Sequence, residues 1–415
     1  MNRGRLAAAV FSTLLAAPAS SASPSPAAAG RPAYVPCPVA AHRPATVPAA
    51  PVPPSRDGDP PAAGGEGLNT AGLTVPPGAP PLPPTLSASS WLVADLDTGV
   101  VLAACGPHEA HPPASVQKLL LAETLLPRLD PATVVEVTPA DVAIEPGSSA
   151  VGLLPGGHYP VETLWLGLLL ESGNDTANAL ARVGGGSGGV AGTIDAMNAE
   201  ARRLGAFDTH AVTPSGLDGP GQFTSAYDLA LIARADFARE DFRRFDTTLR
   251  AQIPPQPPKD PHGFQIQNEN DLLTRYPGAL GGKTGFTDLA RHTYVGAAQR
   301  GTRRLVVTLL SAEAQPARPW RQGATLLDWA FGLPADAGIG HLVTPEEADR
   351  LAHPPTPTPA ASRPPAAVAG VGVGVAVGTR GHRWPALATG AVAVVASTGL
   401  LLILYLRSRR RRLRG

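Results

Sequence analysis

A serine hydroxyl is a poor nucleophile until a neighbouring base takes its proton. Ser115-Val116-Gln117-Lys118 places a candidate base three residues away. If the segment opens a helix, positions three apart share one face, so the Lys118 amine can reach the Ser115 hydroxyl. Lysine serves as that base only where burial or a second cation lowers its pKa, and arginine cannot be tuned in this way. The composition sharpens the point. Of the 34 basic residues, 31 are Arg and three are Lys, namely Lys118, Lys259 and Lys283. The start of the helix also supplies backbone donors toward a developing oxyanion. Taken alone, the motif reads equally as a helix start followed by an exposed lysine.

Two further segments carry matching chemistry. Ser172-Gly173-Asn174 lies between an apolar helical run, Val161–Leu170, and a helix starting at Asp175. A hydroxyl and an amide at such a corner can hydrogen-bond a lysine, a leaving group or a substrate amide. Lys283-Thr284-Gly285, followed by Phe286, reads as part of an edge strand. There Lys283 offers a positive charge to a substrate carboxylate and Thr284 a hydroxyl, while Gly285 lets a substrate backbone approach. Each has a plain alternative, an interhelical turn and a turn lysine. The three together, in this order and using two of the three lysines, are far more specific.

With these motifs the sequence resembles the penicillin-binding D-alanyl-D-alanine carboxypeptidases, serine peptidases of the β-lactamase/penicillin-binding-protein superfamily. Pro214-Ser215-Gly216-Leu217, Thr224-Ser225-Ala226-Tyr227-Asp228 and Asn268-Glu269-Asn270 extend the likeness, which runs from about Trp91 to Phe331. The resemblance implies an α+β fold, a five-stranded antiparallel sheet with flanking helices beside an all-helical subdomain. It implies removal of the terminal D-alanine from peptidoglycan stem peptides through an acyl-serine, with β-lactams as inhibitors and no cofactor or metal. By match, Ser115 is the nucleophile and Lys118 its base, and Ser172 and Asn174 relay protons and position substrate. Lys283 and Thr284 hold the terminal carboxylate, beside Gly285, and the backbone N–H groups of Ser115 and Phe286 form the oxyanion hole. Ala290-Arg291 departs from the usual Ala-Gly and puts a bulky cation near the site. A serine β-lactamase needs a deacylating glutamate in a Glu-x-x-Leu-Asn loop, and none occurs between Asn174 and Lys283. An inactive wall-binding relative is the other rival, against which the intact Ser/Lys pair argues.

Other candidates carry no such chemistry. His108-Glu109-Ala110-His111 has the wrong spacing for a helical two-histidine zinc site. The glycine run 184–189 lacks the ending of a phosphate loop, and Lys259 reads as a solvated loop residue. The net charge of +1 gives no field that would attract nucleic acid.

The elements that must position these groups occupy about residues 85–351. Trp91–Asp95 and Val100–Ala103 read as a hairpin about Asp97-Thr98-Gly99. Helical patterns follow at Ser115–Leu126, Val161–Leu170, Asp175–Arg182 and Val190–Leu204, and from an N-cap at Ser225 to Ala235. Strand-like runs at Thr293–Ala298 and Arg304–Leu310 precede a last helix near Trp320–Phe331. Strands, many helices, strands and a helix suit one antiparallel sheet whose strands come from distant parts of the chain, with a helical insertion.

The ends are of a different kind. Residues 1–22 have the build of a secretory signal, Arg3 and Arg5 before an apolar run from Leu6 to Ala17. Residues 23–84 are proline-rich and read as an extended spacer. Cys37 in that stretch and Cys105 beyond it could pair outside the cell or remain free thiols. Residues 352–384 read as a Pro/Gly-rich linker. Residues 385–406 are uncharged and as a helix would span about 33 Å, enough for a bilayer core of about 30 Å. The arginines of 407–415 then place that end in the cytoplasm. The expected topology is an extracytoplasmic catalytic domain held at the cell membrane by a single pass.

Overall fold

The computed structural model describes residues 34–38 and 63–353. The first part of the described chain forms β1 (Leu73–Thr74), β2 (Ser90–Asp95), β3 (Val100–Cys105), α1 (Gln117–Leu125), β4 (Val134–Glu136) and β5 (His158–Pro160). A helical block follows: α2 (Val161–Leu170), α3 (Asn174–Gly184), α4 (Gly189–Leu204), α5 (Ala226–Ala238) and α6 (Glu240–Asp246). Next come β6 (Arg250–Ile253), β7 (Phe264–Gln267), α7 (Leu272–Arg275), β8 (Ala279–Thr287), β9 (Arg291–Arg300) and β10 (Arg303–Ala312). The last elements are α8 (Pro319–Phe331), β11 (Gly340–His341) and α9 (Pro345–Ala352).

Five long strands build the expected sheet in the order β3-β2-β10-β9-β8, all antiparallel. Two two-residue strands, β1 and β11, add to the outer edge of β3 and cover it. The sheet is buried on both faces, and its strands divide their side chains by alternation. In β10, Val306 and Leu310 face the cluster formed with α1–α5, whereas Leu305, Val307 and Leu309 face the one formed with α8. Leu92 and Ala94 of β2 split from Trp91 and Val93 in the same way. A register shift between Val93 and Ala94 breaks the alternation in β3. The expected N-cap is present, the Ser225 hydroxyl accepting from the Asp228 N–H at 3.1 Å. The hairpins β4–β5 and β6–β7 and the helices α6 and α9 carry no signal that periodicity alone resolves.

The spacer expectation for 23–84 fails over its last third. Residues 63–84 pack on the domain: Leu73 pairs with Cys105, Leu68 is fully buried, and the Trp329 indole donates to the Pro80 carbonyl at 3.0 Å. Proline removes N–H donors but leaves carbonyls and apolar neighbours free to dock on a core made elsewhere. Cys37 and Cys105 are joined in a disulfide with Cα atoms 5.7 Å apart, which fastens residues 34–38 to β3. The rest of the Pro-rich stretch, the signal segment 1–22, the linker from residue 354, the span 385–406 and the tail 407–415 lie outside the described residues. Among the described residues no helix is long and apolar enough to cross a membrane.

Candidate active site

Ser115 sits in a 3-10 turn, Ala114–Val116, that runs into α1. Three contacts fix that turn. The Thr293 hydroxyl donates to the Pro113 carbonyl at 2.8 Å. A Cβ on Gly216 would come within 1.9 Å of the Ala114 carbonyl oxygen. One on Gly285 would come within 2.7 Å of the Ser115 nitrogen. Gly285 is therefore required first by the protein's own close approach of β8 to the nucleophile's turn, a reason beyond the substrate access its sequence context suggests. Ala114 has φ 48° and Ser172 φ 60°. Such left-handed non-glycine residues are costly and concentrate where a site is held under constraint.

Lys118 lies at the start of α1, wholly buried. Its Nζ is 2.8 Å from Ser115 Oγ, 2.8 Å from Asn174 Oδ1 and 2.9 Å from the Ser215 carbonyl oxygen. Both fixed acceptors are neutral, and Lys118 makes no ion pair among the described residues. An ammonium would donate to all three oxygens, and a neutral amine fits the same arrangement. Its two N–H groups go to Asn174 and Ser215, and its lone pair receives the Ser115 O–H. Burial, reinforced by the positive charge of Lys283, pushes the Lys118 pKa well below the ordinary lysine value, while Asp175 pulls weakly the other way. Asp175 instead holds the segment that follows the cleft-lining residues Gly147, Ser148 and Ser149, its carboxylate accepting from the N–H groups of Val151, Gly152 and Leu153.

The Ser172 hydroxyl is buried, with no hydrogen-bond partner among the described residues. It lines the cleft of about 320 Å³ that also exposes Ser115, Asn174, Thr284, Gly285 and Phe286. Among the described residues strand β8 pairs on one side only, with β9, and its other edge faces this cleft. Lys283 is placed differently from the sequence expectation of an offered side chain. It is 2% exposed, lies behind the cleft lining and donates to the Thr284 carbonyl at 3.0 Å. Burial lowers its pKa to about 8 against the opposing pull of Glu269 and Asp246.

Arg291 does not intrude. Its guanidinium pairs with both oxygens of Glu313 at 3.1 Å and rests over the Phe286 ring, outside the cleft lining. His292 also packs on Phe286, with ring centroids 4.7 Å apart, and does reach the cleft. Residues that single-residue reasoning did not assign are Ser215 through its carbonyl, Glu269 and His292, and the Thr287–Asp218 hydrogen bond of 2.8 Å. Ser215 and Glu269 lie inside the likeness motifs, which marked their segments and not their roles.

The family model described as D-alanyl-D-alanine carboxypeptidase matches residues 78–314, more than half of the sequence. The chain belongs to this family. D-alanyl-D-alanine carboxypeptidase DacB2 of Mycobacterium tuberculosis is 46% identical over 272 residues, 64% of this chain and 90% of the relative. A D-alanyl-D-alanine carboxypeptidase of Streptomyces sp. strain K15 is 28% identical over 260 residues, 60% of this chain and 89% of its own. The crystal structure of the D-alanyl-D-alanine carboxypeptidase from M. tuberculosis superposes with a TM-score of 0.60 at 45% identity, covering 65% of this chain and 100% of that one. For the Streptomyces K15 DD-transpeptidase the TM-score is 0.58 at 27% identity, with 61% and 100% covered. The protein is thus a serine hydrolase of the penicillin-binding, DD-peptidase fold.

Proposed function

We propose that the protein removes the terminal D-alanine from peptidoglycan stem pentapeptides through an acyl-serine intermediate and that β-lactams acylate the same serine. One observation carries this reading: the 2.8 Å approach of a buried lysine amine, facing only neutral acceptors, to Ser115 Oγ. As Ser115 Oγ attacks the carbonyl of the penultimate D-alanine, Lys118 Nζ takes its proton. The backbone N–H groups of Ser115 and Phe286 receive the developing oxyanion, a contribution of roughly 10²–10³ in rate per donor. The Ser172 hydroxyl relays the proton now on Lys118 Nζ to the departing amine, which leaves Lys118 neutral again, and Asn174 holds Lys118 and the substrate amide. Thr284 and, behind it, the charge of Lys283 hold the terminal carboxylate. Water then attacks the acyl-serine with Lys118 again taking the proton, which it returns to Ser115 Oγ as the ester bond breaks and the shortened peptide leaves. No step needs a metal or cofactor.

We further infer export, with residues 385–406 as a membrane anchor and 407–415 inside. The Cys37–Cys105 disulfide supports an extracytoplasmic body, since such bonds persist in oxidising compartments. Fractionation of the full chain with membranes tests the anchor.

The deciding assay incubates the protein with a D-Ala-D-Ala pentapeptide and weighs the products. Release of one alanine is the expected result. Cross-linked dimers would shift the assignment to transpeptidation, and turnover of bound penicillin within seconds would shift it to a β-lactamase.

A further inference from the structure

Asp246, the last residue of α6, is wholly buried directly beneath the strand that carries Lys283 and Thr284. Its Oδ2 accepts the Gly282 N–H at 2.7 Å, and its Oδ1 has no partner among the described residues. A Cβ on Gly281 would stand 1.9 Å from Oδ2, so carboxyl and backbone are in tight apposition. Here β8 is irregular. Its register against β9 shifts between Ala279 and Gly281, and Gly281 and Gly282 have φ 122° and 137°, open to glycine and not to other residues. The bulge re-aims the strand just before Lys283. Asp246 is itself held, its carbonyl accepting from the Asn268 side chain at 2.9 Å.

We propose that Asp246 is a positioning residue for the carboxylate-binding end of the cleft, its buried carboxyl clamping the Gly281–Gly282 bulge and thereby setting Lys283 and Thr284. The inference rests on the reading of Lys283 and Thr284 as the substrate-carboxylate anchor. Asp246 has a second effect through its charge. Lys283 faces Glu269 and Asp246 as its negative neighbours and Lys118 as its positive one, and Asp246 also faces Asp236 and Tyr294. Burial raises Asp246 to about 7, so above neutrality it is mostly ionised and favours the Lys283 ammonium.

Three variants test this in the full chain, read by KM and kcat for a D-Ala-D-Ala peptide from pH 6 to 10, with fluorescent-penicillin labelling as the measure of Ser115. Asp246→Leu removes the clamp and is expected to raise KM about tenfold with a much smaller change in kcat. Asp246→Asn keeps an acceptor for Gly282 and loses the charge. It should restore KM near neutrality while KM begins to rise at lower pH than in the unaltered protein. Gly281→Ala, which crowds the clamp from the strand side, should repeat the KM effect and covers the case in which Asp246→Leu does not fold. If Asp246→Leu or Gly281→Ala folds with an unchanged KM, or if Asp246→Asn leaves the pH dependence of KM in place, the inference is overturned and the function reading stands. Absence of penicillin labelling in the unaltered protein overturns the function reading itself.

Discussion

Lys118 is where the chemistry and the burial meet. A guanidinium at this position cannot lose its proton, so Lys118→Arg removes the base while keeping the positive charge. Acylation by a fluorescent penicillin should slow by about 10³-fold, within the usual range for loss of a general base. Labelling at the original rate would remove the basis of the mechanism. The two lysines also shape the pH profile in opposite senses. Lys118 must be neutral, and burial together with the charge of Lys283 moves its pKa in that direction. Lys283 must be charged to hold a carboxylate, and it loses its proton at about 8. Peptide kcat/KM should therefore fall as pH rises through about 8, and Lys283→Arg should carry that fall to higher pH. The pairing of Ser115 with Lys118 was legible from their spacing. The fall in pKa was legible only as a requirement, because it arises from burial and from Lys283, remote in sequence.

At the scale of elements, the site depends on how closely β8 lies against the turn that opens α1. Gly285→Ala would force its Cβ against the Ser115 nitrogen and the Thr293 hydroxyl, and backbone cannot yield as a side chain can. The expected cost is about 1–3 kcal/mol of stability from overpacking. Acylation should be lost out of proportion to that cost, because the turn bearing the nucleophile moves. A thermal melt set beside the labelling rate separates the two effects. The hairpin about Asp97, the helices α1–α5 and α8 and the β9–β10 pair follow from period and turn residues, and Val161–Leu170 coincides with α2. The short hairpins β4–β5 and β6–β7 were not legible, since strands of three or four residues show too little alternation and gain their partners from packing. Arg291 makes the same point. Its neighbours in sequence suggest a cation in the cleft, whereas Glu313 on the adjoining segment draws it aside.

For the whole molecule, buried acids and the disulfide govern stability. Burial raises the Glu123 pKa to about 7 from an ordinary 4.5. The folded protein therefore holds this proton where the unfolded chain has released it. Its contribution is complete below the unfolded pKa and is lost as pH rises toward the folded one. Glu123→Gln should flatten the decline of unfolding free energy between about pH 4.5 and 7 in denaturant titrations. An unchanged slope would show that the carboxyl titrates alike in both states. Cys37→Ser opens a loop 68 residues long. In the chain-entropy model this costs about 4 kcal/mol, on the order of a 10 °C fall in melting temperature, and calorimetry under non-oxidising and oxidising conditions checks it.

By itself the sequence determined which groups can do acyl chemistry and which of them lie within one helical turn, because those relations are local and follow from residue type and period. It also set the strand-helix-strand order that specifies a single antiparallel sheet. Tertiary structure alone decided that Asn174 and Ser215, 56 and 97 positions from Lys118, close on its amine. It decided as well that Lys283 stands behind the cleft wall and that residues 63–84 join the core. Acidity and placement depend on desolvation and on neighbours brought together by packing, and spacing along a chain does not fix either.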